Sequence, residues 1–302
     1  MYQTTVRQAF SCTGTGLHSG NHVSMSVRPA PVGTGIVFEI ASPAGMVRIT
    51  PRPDVVIATG LATTLGTDSA SVSTVEHLLA ALRGLSIDNV IITVKGGEIP
   101  ILDGSAAEWV RLFSQAGIRV QEAPRRVLRV IMPVELRDGD KFIRAVPHAG
   151  FSVDCTIEFA HPAIGCQHLR MDITPESFPR IARARTFGFY KEVEYLRAKG
   201  LARGGSLDNA VVIGDEGVLN PGGLRFEDEF VRHKALDFVG DMAMLPLSLQ
   251  GHFETCRSGH ELNNKFLRLL VAENALQEVV LREQPSARRV TEKACTAALV
   301  PA

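Results

Sequence analysis

One order of predicted elements occurs twice along this chain, and that repetition limits the folds that it can adopt. The first half has short strand patterns, such as HVSMSVRPA and GIVFEI, then a helix (STVEHLLAALRGL), a strand (NVIITV) and a second helix (SAAEWVRLFSQAG). The second half has strand patterns again (RVLRVIMPVEL, KFIRAV and FSVDCTIEF), then the helical segments EDEFVRHKALDFVGDMAML and GHELNNKFLRLLVAEN. We therefore predict an α+β fold of two similar domains in tandem, each a β-sheet covered by a pair of helices, packed as a β-α-α-β sandwich.

A polar segment marks the boundary between the two units. The residues QEAPRR at 121–126 carry a proline and follow the last helix of the first unit. We therefore predict an N-terminal domain over 1–123 and a C-terminal domain over 124–302. The second unit also has an insertion, at about 190–213, whose pattern of helix, glycine-rich turn and strand predicts a βαβ-type element.

Composition and charge argue against several kinds of protein. Apolar residues make up 45% of the chain and charged residues 21%, which is typical of globular proteins. The 32 basic and 32 acidic residues cancel, so no net charge attracts nucleic acid. The N-terminus lacks a signal-peptide pattern, and no apolar run reaches the roughly 18 residues that cross a bilayer. The five cysteines lack CxxC spacing, so we expect reduced thiols and a cytoplasmic protein without a membrane segment.

The strongest chemical pattern lies in the predicted helix EFVRHKALDFVGDM. His233, Asp237 and Asp241 are spaced i, i+4, i+8, so they form one polar stripe on a helix that is otherwise apolar. A buried carboxylate needs a partner or a metal ion, and a histidine and an aspartate one turn apart can bind the same cation. An ion pair on a solvated helix face is the alternative, and spacing alone favours it.

Glu76 and His77 form a second group, in the segment STVEHLL. With Ser73, Glu76 fits a capping box, so one interpretation is that its carboxylate binds free amides at the start of a helix. The functional interpretation makes His77 a metal ligand and Glu76 the general base beside it. An ion with three protein ligands and one open position lowers the pKa of its water to roughly 7, and the base accepts the proton as that water attacks a carbonyl.

Further residues complete the predicted amidase. His260, at a turn before the last long helix, is a candidate general acid for the leaving nitrogen, and Asp241 can hold its imidazole in the charged form. Thr186 and Lys234 are candidate donors to the developing oxyanion. Each alone has a simpler explanation, Thr186 as a strand hydroxyl and Lys234 as a surface charge, and spacing does not show that these groups converge.

Taken in order, eight segments closely resemble one protein family, the zinc-dependent UDP-3-O-acyl-N-acetylglucosamine deacetylases of lipid A biosynthesis. They span most of the chain, and the block that ends at Gly240 is highly specific. The segments are GTGLHSG (14–20), STVEHLLAAL (73–82), IPILDGSA (99–106), IEFAHPAI (157–164), RTFGF (185–189), GLARGGSLDNAVV (200–212), LRFEDEFVRHKALDFVGDM (224–242) and SGHELNNKFLR (258–268).

The resemblance implies a metal-dependent hydrolase. In such an enzyme zinc, or ferrous iron in its place, would be held by His77, His233 and Asp237. The position of Glu76 would be the general base and that of His260 the general acid. The substrate would be a UDP-sugar with a 3-O-hydroxyacyl chain. Hydrolysis of its 2-acetamido group would release acetate, which is the committed early step of lipid A assembly in Gram-negative bacteria.

The resemblance also implies a set of positions around the substrate. Thr186 and Lys234 match groups near the oxyanion, and Asp241 matches the partner of the acid histidine. Phe159 and Phe187 match aromatic residues near the uridine, although core packing is an alternative for both. Lys141 and Arg257 match basic positions near the diphosphate. In the insertion, the residues that match the lining of an apolar passage for the acyl chain are Val193, Ala202, Leu207 and Val212.

The chain departs from the family pattern at Ala62, where many relatives carry a cysteine close to the metal. That departure puts in doubt a thiol contribution to metal sensitivity but not catalysis. The resemblance further implies a monomer. Two other functions stay open from the sequence: a zinc amidase that acts on a different acetylated sugar, and a non-catalytic nucleotide-binding module on the same duplicated scaffold.

Overall fold

The computed structural model describes residues 1–42 and 45–281, and within them the chain is mixed α and β, with six α-helices. The elements of the first half are β1 (Tyr2–Val6), β2 (Phe10–Thr15), β3 (His22–Pro29), β4 (Ile36–Ser42), β5 (Gly45–Ile49), a 3-10 helix (Pro53–Val55), β6 (Val56–Ala58), β7 (Thr64–Gly66), β8 (Ser71–Val72), α1 (Glu76–Gly84), β9 (Val90–Lys95), α2 (Ala107–Ala116) and β10 (Ile118–Pro124).

The main sheet of this half has five strands in the order β2-β3-β9-β4-β5. Its middle strand, β9, pairs antiparallel with β3 and parallel with β4. Along β3, the buried residues Val23, Met25 and Val27 alternate with less buried ones, which is the period of a strand that covers a core with one face. The strand patterns predicted from the sequence here are therefore confirmed as β3, β4 and β9.

The second half has ten more strands and four helices in the described part of the chain. They are β11 (Arg126–Val130), β12 (Val134–Asp138), β13 (Lys141–Val146), β14 (Phe151–Phe159), β15 (Gly165–Asp172), α3 (Pro179–Ala182), β16 (Phe187–Phe189), α4 (Tyr190–Ala198), β17 (Val211–Gly214), β18 (Gly217–Val218), α5 (Glu229–Asp241), β19 (Ser248–Cys256), α6 (His260–Ala272) and β20 (Leu276–Val280).

The predicted helices of both halves are confirmed as α1, α2, α5 and α6. The insertion is confirmed as a βαβ element, because β16 and β17 pair in parallel and α4 connects them. The sequence patterns miss β19, which pairs antiparallel with β13 and parallel with β14. Two of its buried positions hold Gly251 and Thr255 instead of large apolar residues, so its hydrophobic alternation is weak.

The polar segment predicted as the boundary spans the end of β10 and the start of β11. Residues up to Pro124 belong to β10, which pairs antiparallel with β1 at the other end of the same half. Gln121 is buried there: its amide donates to the carbonyl O of Ala30 at 2.9 Å and its oxygen accepts from Asn89 Nδ2 at 2.8 Å. Gln121 therefore belongs to the interior of this half, whereas Glu122, Pro124 and Arg126 of the same segment are exposed.

Helices α1 and α5, one from each half, pack directly against each other. Gly240 allows the close approach, because a Cβ at that position would lie 2.1 Å from the carbonyl O of Glu76. Leu78, Leu79 and Leu236 on these helices are fully buried, so apolar burial stabilises the contact. The packing brings the first turn of α1 beside the polar stripe of α5.

Within the described residues, the helices are too short or too polar to cross a lipid bilayer. Cys12, Cys155, Cys166 and Cys256 are free thiols, and Cys295 lies outside the described residues.

Candidate metal centre and catalytic cavity

Three side chains that can bind a metal ion meet where α1 and α5 pack together. His77 comes from the first turn of α1, and His233 and Asp237 come from one face of α5. One ligand atom of each lies within 4.8 Å of the others, and all three residues are buried. The Nε2 atoms of His77 and His233 lie 3.5 Å and 3.2 Å from Asp237 Oδ1.

The surroundings of this cluster fit a divalent cation. Asp237 Oδ1 is buried and has no hydrogen-bond partner among the described residues, which is costly unless another group binds it. The carbonyl O of Ala184 lies 3.1 Å from His233 Nδ1, so a proton on Nδ1 leaves Nε2 free as a ligand. Burial lowers the pKa of His233 to about 3, which keeps the imidazole neutral. The alternative of an ion pair on a solvated face does not fit, because the stripe is buried.

Lys234 lies beside the cluster with its ammonium 2.9 Å from Asp237 Oδ2. Burial alone would lower the pKa of Lys234, but the Asp237 carboxylate more than offsets this and raises it. For Asp237, burial alone would raise the pKa. The nearby His233 and Lys234 outweigh burial and hold the pKa of this carboxyl well below its ordinary value. Lys234 therefore stays charged and Asp237 ionised at neutral pH, and the ammonium is not a surface charge.

Glu76 is 3% exposed and is held by the chain segment opposite α1. Its Oε2 accepts a hydrogen bond from the backbone N–H of Thr63 at 3.0 Å. Val75 occupies the cap position of α1 without a side-chain cap bond, so the capping-box interpretation with Ser73 is wrong. Burial raises the pKa of Glu76, although His260 and His77 partly offset the effect. A carboxylate with a raised pKa is a better proton acceptor than an ordinary glutamate.

His260 is the first residue of α6, and its imidazole is bound to a buried carboxylate. Its Nδ1 lies 2.8 Å from Asp241 Oδ2, which also accepts from Asn263 Nδ2 at 2.7 Å. Thr63 Oγ1 donates to Asp241 Oδ1 at 2.6 Å. Burial alone would lower the pKa of His260, but Asp241 more than offsets it and the pKa rises to about 9. The imidazole is therefore protonated at neutral pH and can donate a proton.

A cavity of about 330 Å³ brings these groups together. The predicted metal ligands, both acid–base residues and both oxyanion donors face one space, together with one residue each from the aromatic and basic groups. The residues of the sequence hypothesis that line it are Glu76, His77, Lys141, Thr186, Phe187, His233, Lys234, Asp237 and His260. The cavity therefore joins side chains that spacing alone could not place together.

An adjoining cavity of about 350 Å³ is lined by the other residues predicted to contact the uridine diphosphate. Phe159 and Arg257 line it, and it shares Lys141 and Lys234 with the first cavity. The rings of Phe159 and Phe187 lie 5.7 Å apart, and Phe187 also contacts the buried ring of Phe230 at 4.9 Å. Phe187 thus contributes to the core and to the cavity wall at once.

The predicted acyl-passage residues do not line either cavity. Val193, Ala202 and Val212 are partly buried in the insertion, and Leu207 is 43% exposed. Leu17, which lines the catalytic cavity, contacts the insertion, because its carbonyl O accepts from the backbone N–H of Gly204 at 3.0 Å. The structure therefore places these four residues outside the space that holds the metal cluster.

Several polar residues around the site have no signal in the sequence patterns. Thr63, next to the buried Ala62, contacts both Glu76 and Asp241. His18 has both ring nitrogens buried and without a partner among the described residues. Burial lowers the pKa of His18; the Glu98 carboxylate partly offsets this, and the imidazoles of His260 and His77 add to the lowering. A single threonine or histidine has no periodic pattern, and only the matched segment GTGLHSG and the departure at Ala62 pointed to these regions.

The chain is similar over most of its length to one family of known proteins. A family model described as UDP-3-O-acyl N-acetylglycosamine deacetylase (LpxC) matches residues 3–272. A protein of Nitratidesulfovibrio vulgaris named UDP-3-O-acyl-N-acetylglucosamine deacetylase is 58% identical over 302 residues, which is 98% of each chain. Proteins of the same name from Oleidesulfovibrio alaskensis and Lawsonia intracellularis are 56% identical over 297 residues and 52% identical over 281 residues, covering 97% of both chains in the first case and 93% and 92% in the second.

Proposed function

The chain belongs to the UDP-3-O-acyl-N-acetylglucosamine deacetylase family, and from that premise we propose how its cavity carries out the reaction. The enzyme hydrolyses the 2-acetamido group of UDP-3-O-(3-hydroxyacyl)-N-acetylglucosamine and releases acetate, an early step of lipid A biosynthesis. The observation that carries the proposal is the convergence of a His/His/Asp cluster, a buried glutamate and a protonated histidine in one cavity.

We propose that the metal is zinc, held by His77, His233 and Asp237, and that ferrous iron is accepted in its place. Two imidazole nitrogens and one carboxylate oxygen form a donor set found in catalytic zinc sites, and both metals accept such ligands. When bound by these residues, the ion would supply Lewis-acid chemistry that activates the attacking water. The ordering of His233 by the Ala184 carbonyl supports this assignment.

Glu76 is the proposed general base. Its carboxylate is fixed through Oε2 by the Thr63 amide and lines the cavity beside the metal ligands. Because burial raises its pKa, the carboxylate takes a proton from the attacking water more readily than an ordinary glutamate would.

His260 is the proposed general acid. Its Nδ1 is occupied by Asp241, so the proton on Nε2 is the one available to the leaving nitrogen of the amide. With a pKa of about 9 the imidazole is protonated before the C–N bond breaks. Asp241 acts through His260, and it is itself held by Asn263 and Thr63.

Thr186 and Lys234 are proposed to stabilise the negative charge that develops on the amide oxygen. Both line the cavity, and the ammonium of Lys234 is already held by Asp237 Oδ2, so little reorganisation is needed during the reaction. The backbone N–H of Thr186 donates to the carbonyl O of Gly104 at 2.7 Å, which fixes the backbone of Thr186 near α5, the helix of His233 and Asp237.

The two adjoining cavities give the substrate a proposed direction. The acetamido group lies at the metal cluster, and the uridine diphosphate extends past Lys141 and Arg257 toward Phe159 and Phe187. The acyl chain follows the insertion, along Val193, Ala202, Leu207 and Val212. An apolar path there would contribute about 0.8 kcal/mol per buried methylene and so favour acylated substrates.

We also propose that the fold is a duplication, with domains at 1–123 and 124–302 and the helices between the two sheets. The strand order β2-β3-β9-β4-β5 has a counterpart in the pairings of β12, β13, β19, β14 and β15. The pair β1–β10 has a counterpart in β11–β20. We expect a monomer that works in the cytoplasm, where its nucleotide-sugar substrate would be made.

The test is acetate release by the purified protein from a UDP-3-O-acyl-N-acetylglucosamine, compared with release from free N-acetylglucosamine. We expect activity on the nucleotide sugar alone, loss of that activity after chelation and recovery on adding zinc. Equal rates on the free sugar would favour a broader amidase. Nucleotide binding that is unaffected by chelation, without hydrolysis, would favour a non-catalytic module.

A further inference from the structure

A short loop between β2 and β3, residues 16–20, lies between the start of α1 and the insertion. Leu17 in this loop lines the catalytic cavity. The loop is close to the glycine-rich turn at 202–205, because a Cβ at Gly204 would lie 2.3 Å from the carbonyl O of Gly16. A Cβ on Gly16, in turn, would lie 2.2 Å from Glu98 Oε2. Contacts this close leave no room for the loop to shift independently.

Glu98 binds one side of this loop. It is 1% exposed, and its carboxylate accepts hydrogen bonds from the backbone N–H groups of His18 and Ser19, both at 2.9 Å. Ser19 Oγ donates to the same carboxylate at 2.6 Å, and Thr74 Oγ1 donates at 3.0 Å. Thr74 has a φ of 58° and stands just before α1, so this last hydrogen bond joins the loop to the start of α1.

The turn of the insertion binds the other side of the same peptide units. The carbonyl O of Leu17 accepts from the N–H of Gly204 at 3.0 Å, and the carbonyl O of His18 accepts from the N–H of Arg203 at 3.2 Å. In a trans peptide the C=O and N–H groups point in opposite directions. Two successive peptide units are therefore held between Glu98 on one side and the insertion on the other.

We propose that Glu98 is a positioning residue that ties the acyl-binding insertion to the catalytic centre through the loop at 16–20, and so contributes to selection of long-chain substrates. This inference rests on the proposed function, because it assumes that the insertion binds the acyl chain. The carboxylate fixes Leu17 at the cavity wall, and the turn at 202–205 can take only the position that the fixed loop allows.

The experiment compares wild type with Glu98→Gln, which keeps the shape but replaces one acceptor oxygen by a donor that must face either Ser19 or His18 and Thr74. Zinc-loaded proteins are assayed with substrates that carry a long or a short acyl chain. We expect KM for the long chain to rise about tenfold, and kcat and KM for the short chain to change by less than about threefold, since a hydrogen bond to a charged group accounts for roughly one to two factors of ten. Equal rises in KM for both chains, or no change, would overturn the proposal.

Hydrogen–deuterium exchange gives a second readout that does not depend on activity. Glu98→Gln should raise amide exchange in residues 16–20 and also in residues 202–205, which Glu98 does not touch. Faster exchange in the loop alone would show that the coupling to the insertion is absent. Glu122→Gln, an exposed glutamate on β10, is the matched control and should change neither readout.

Gly204→Ala perturbs the same contact from the insertion side and covers the case in which Glu98→Gln does not fold. The new methyl group must displace the Gly16 carbonyl, so the same long-chain rise in KM is expected. Gly222→Ala is its control, because a Cβ there meets nothing within 4 Å. A wild type without deacetylase activity would refute the proposed function, whereas exchange would still decide whether Glu98 and the turn are coupled.

Discussion

Replacing Asp241 by asparagine should move the alkaline limit of activity to lower pH. His260 works as an acid only while it is protonated, and its pKa of about 9 depends mainly on the Asp241 carboxylate, which outweighs the lowering effect of burial. The two groups are joined by a 2.8 Å contact in a buried setting, where solvent screens the interaction little. Asparagine keeps the shape of the side chain and removes its charge.

The expected size follows from the fraction of protonated imidazole. Without the carboxylate the pKa should fall toward the ordinary value of 6.5. At pH 8 wild type would then be about nine-tenths protonated and the variant about 3%, a difference of roughly 30-fold, while at pH 6 the two would differ by less than about twofold. Loss of the hydrogen bond adds a decrease that does not depend on pH, so the shape of the profile is the informative quantity.

The assay is kcat/KM for deacetylation between pH 5.5 and 10, which reports the essential groups of the free enzyme. Asp228→Asn is a suitable control, because Asp228 stands at the N-cap position of the same helix and its side chain pairs with Arg232, outside the lining of the cavity. A profile for Asp241→Asn with its alkaline limb in the wild-type position would refute the assignment of His260 as the acid held by Asp241.

Four further outcomes test other parts of the site. His77→Ala and Asp237→Ala should each bind less zinc than wild type after identical loading, measured by elemental analysis, and full zinc content in either variant would exclude that residue as a ligand. Glu76→Gln should keep zinc but lose about 10²–10⁴ in kcat, the range for general acid–base catalysis; near-normal turnover would leave Glu76 without a catalytic role. Gly240→Ala should lower the Tm although alanine favours helices, because its Cβ would lie 2.1 Å from the Glu76 carbonyl and overpacking costs about 1–3 kcal/mol; a raised Tm in calorimetry would contradict the close packing. Leu207→Trp should raise KM for long acyl chains more than for short ones, and equal effects would discredit its place in the passage.

Local sequence patterns were sufficient for much of the fold. The apolar spacing of α1, α2, α5 and α6 predicts these helices, because the period of 3.6 residues is set by the helix itself. The strand β19 was not predicted, because Gly251 and Thr255 occupy two of its buried positions and interrupt the alternation of large apolar residues. The polar residues before Pro124 suggest a solvated connection, because nothing in their pattern shows that Gln121 is buried and hydrogen-bonded.

The chemistry of the site divides in the same way. The stripe of His233, Asp237 and Asp241 is visible from the sequence, because residues four apart share one helix face. The choice between a solvated ion pair and a metal site was not visible, since it depends on burial and on His77 from the other half. Spacing also suggested that Glu76 caps the start of α1, whereas in the structure its carboxylate accepts a hydrogen bond from the Thr63 amide.

By itself, the sequence determined the helices, the repeated order of elements and the types of residue available for catalysis, because these follow from neighbours a few positions apart. Only the tertiary structure decided which of those residues meet. Thr63 and Asp241 are 178 positions apart and still share a 2.6 Å hydrogen bond, and Glu98 holds a loop whose contact with the insertion spans most of the chain. Such contacts arise from packing between the two halves, and no local propensity encodes them.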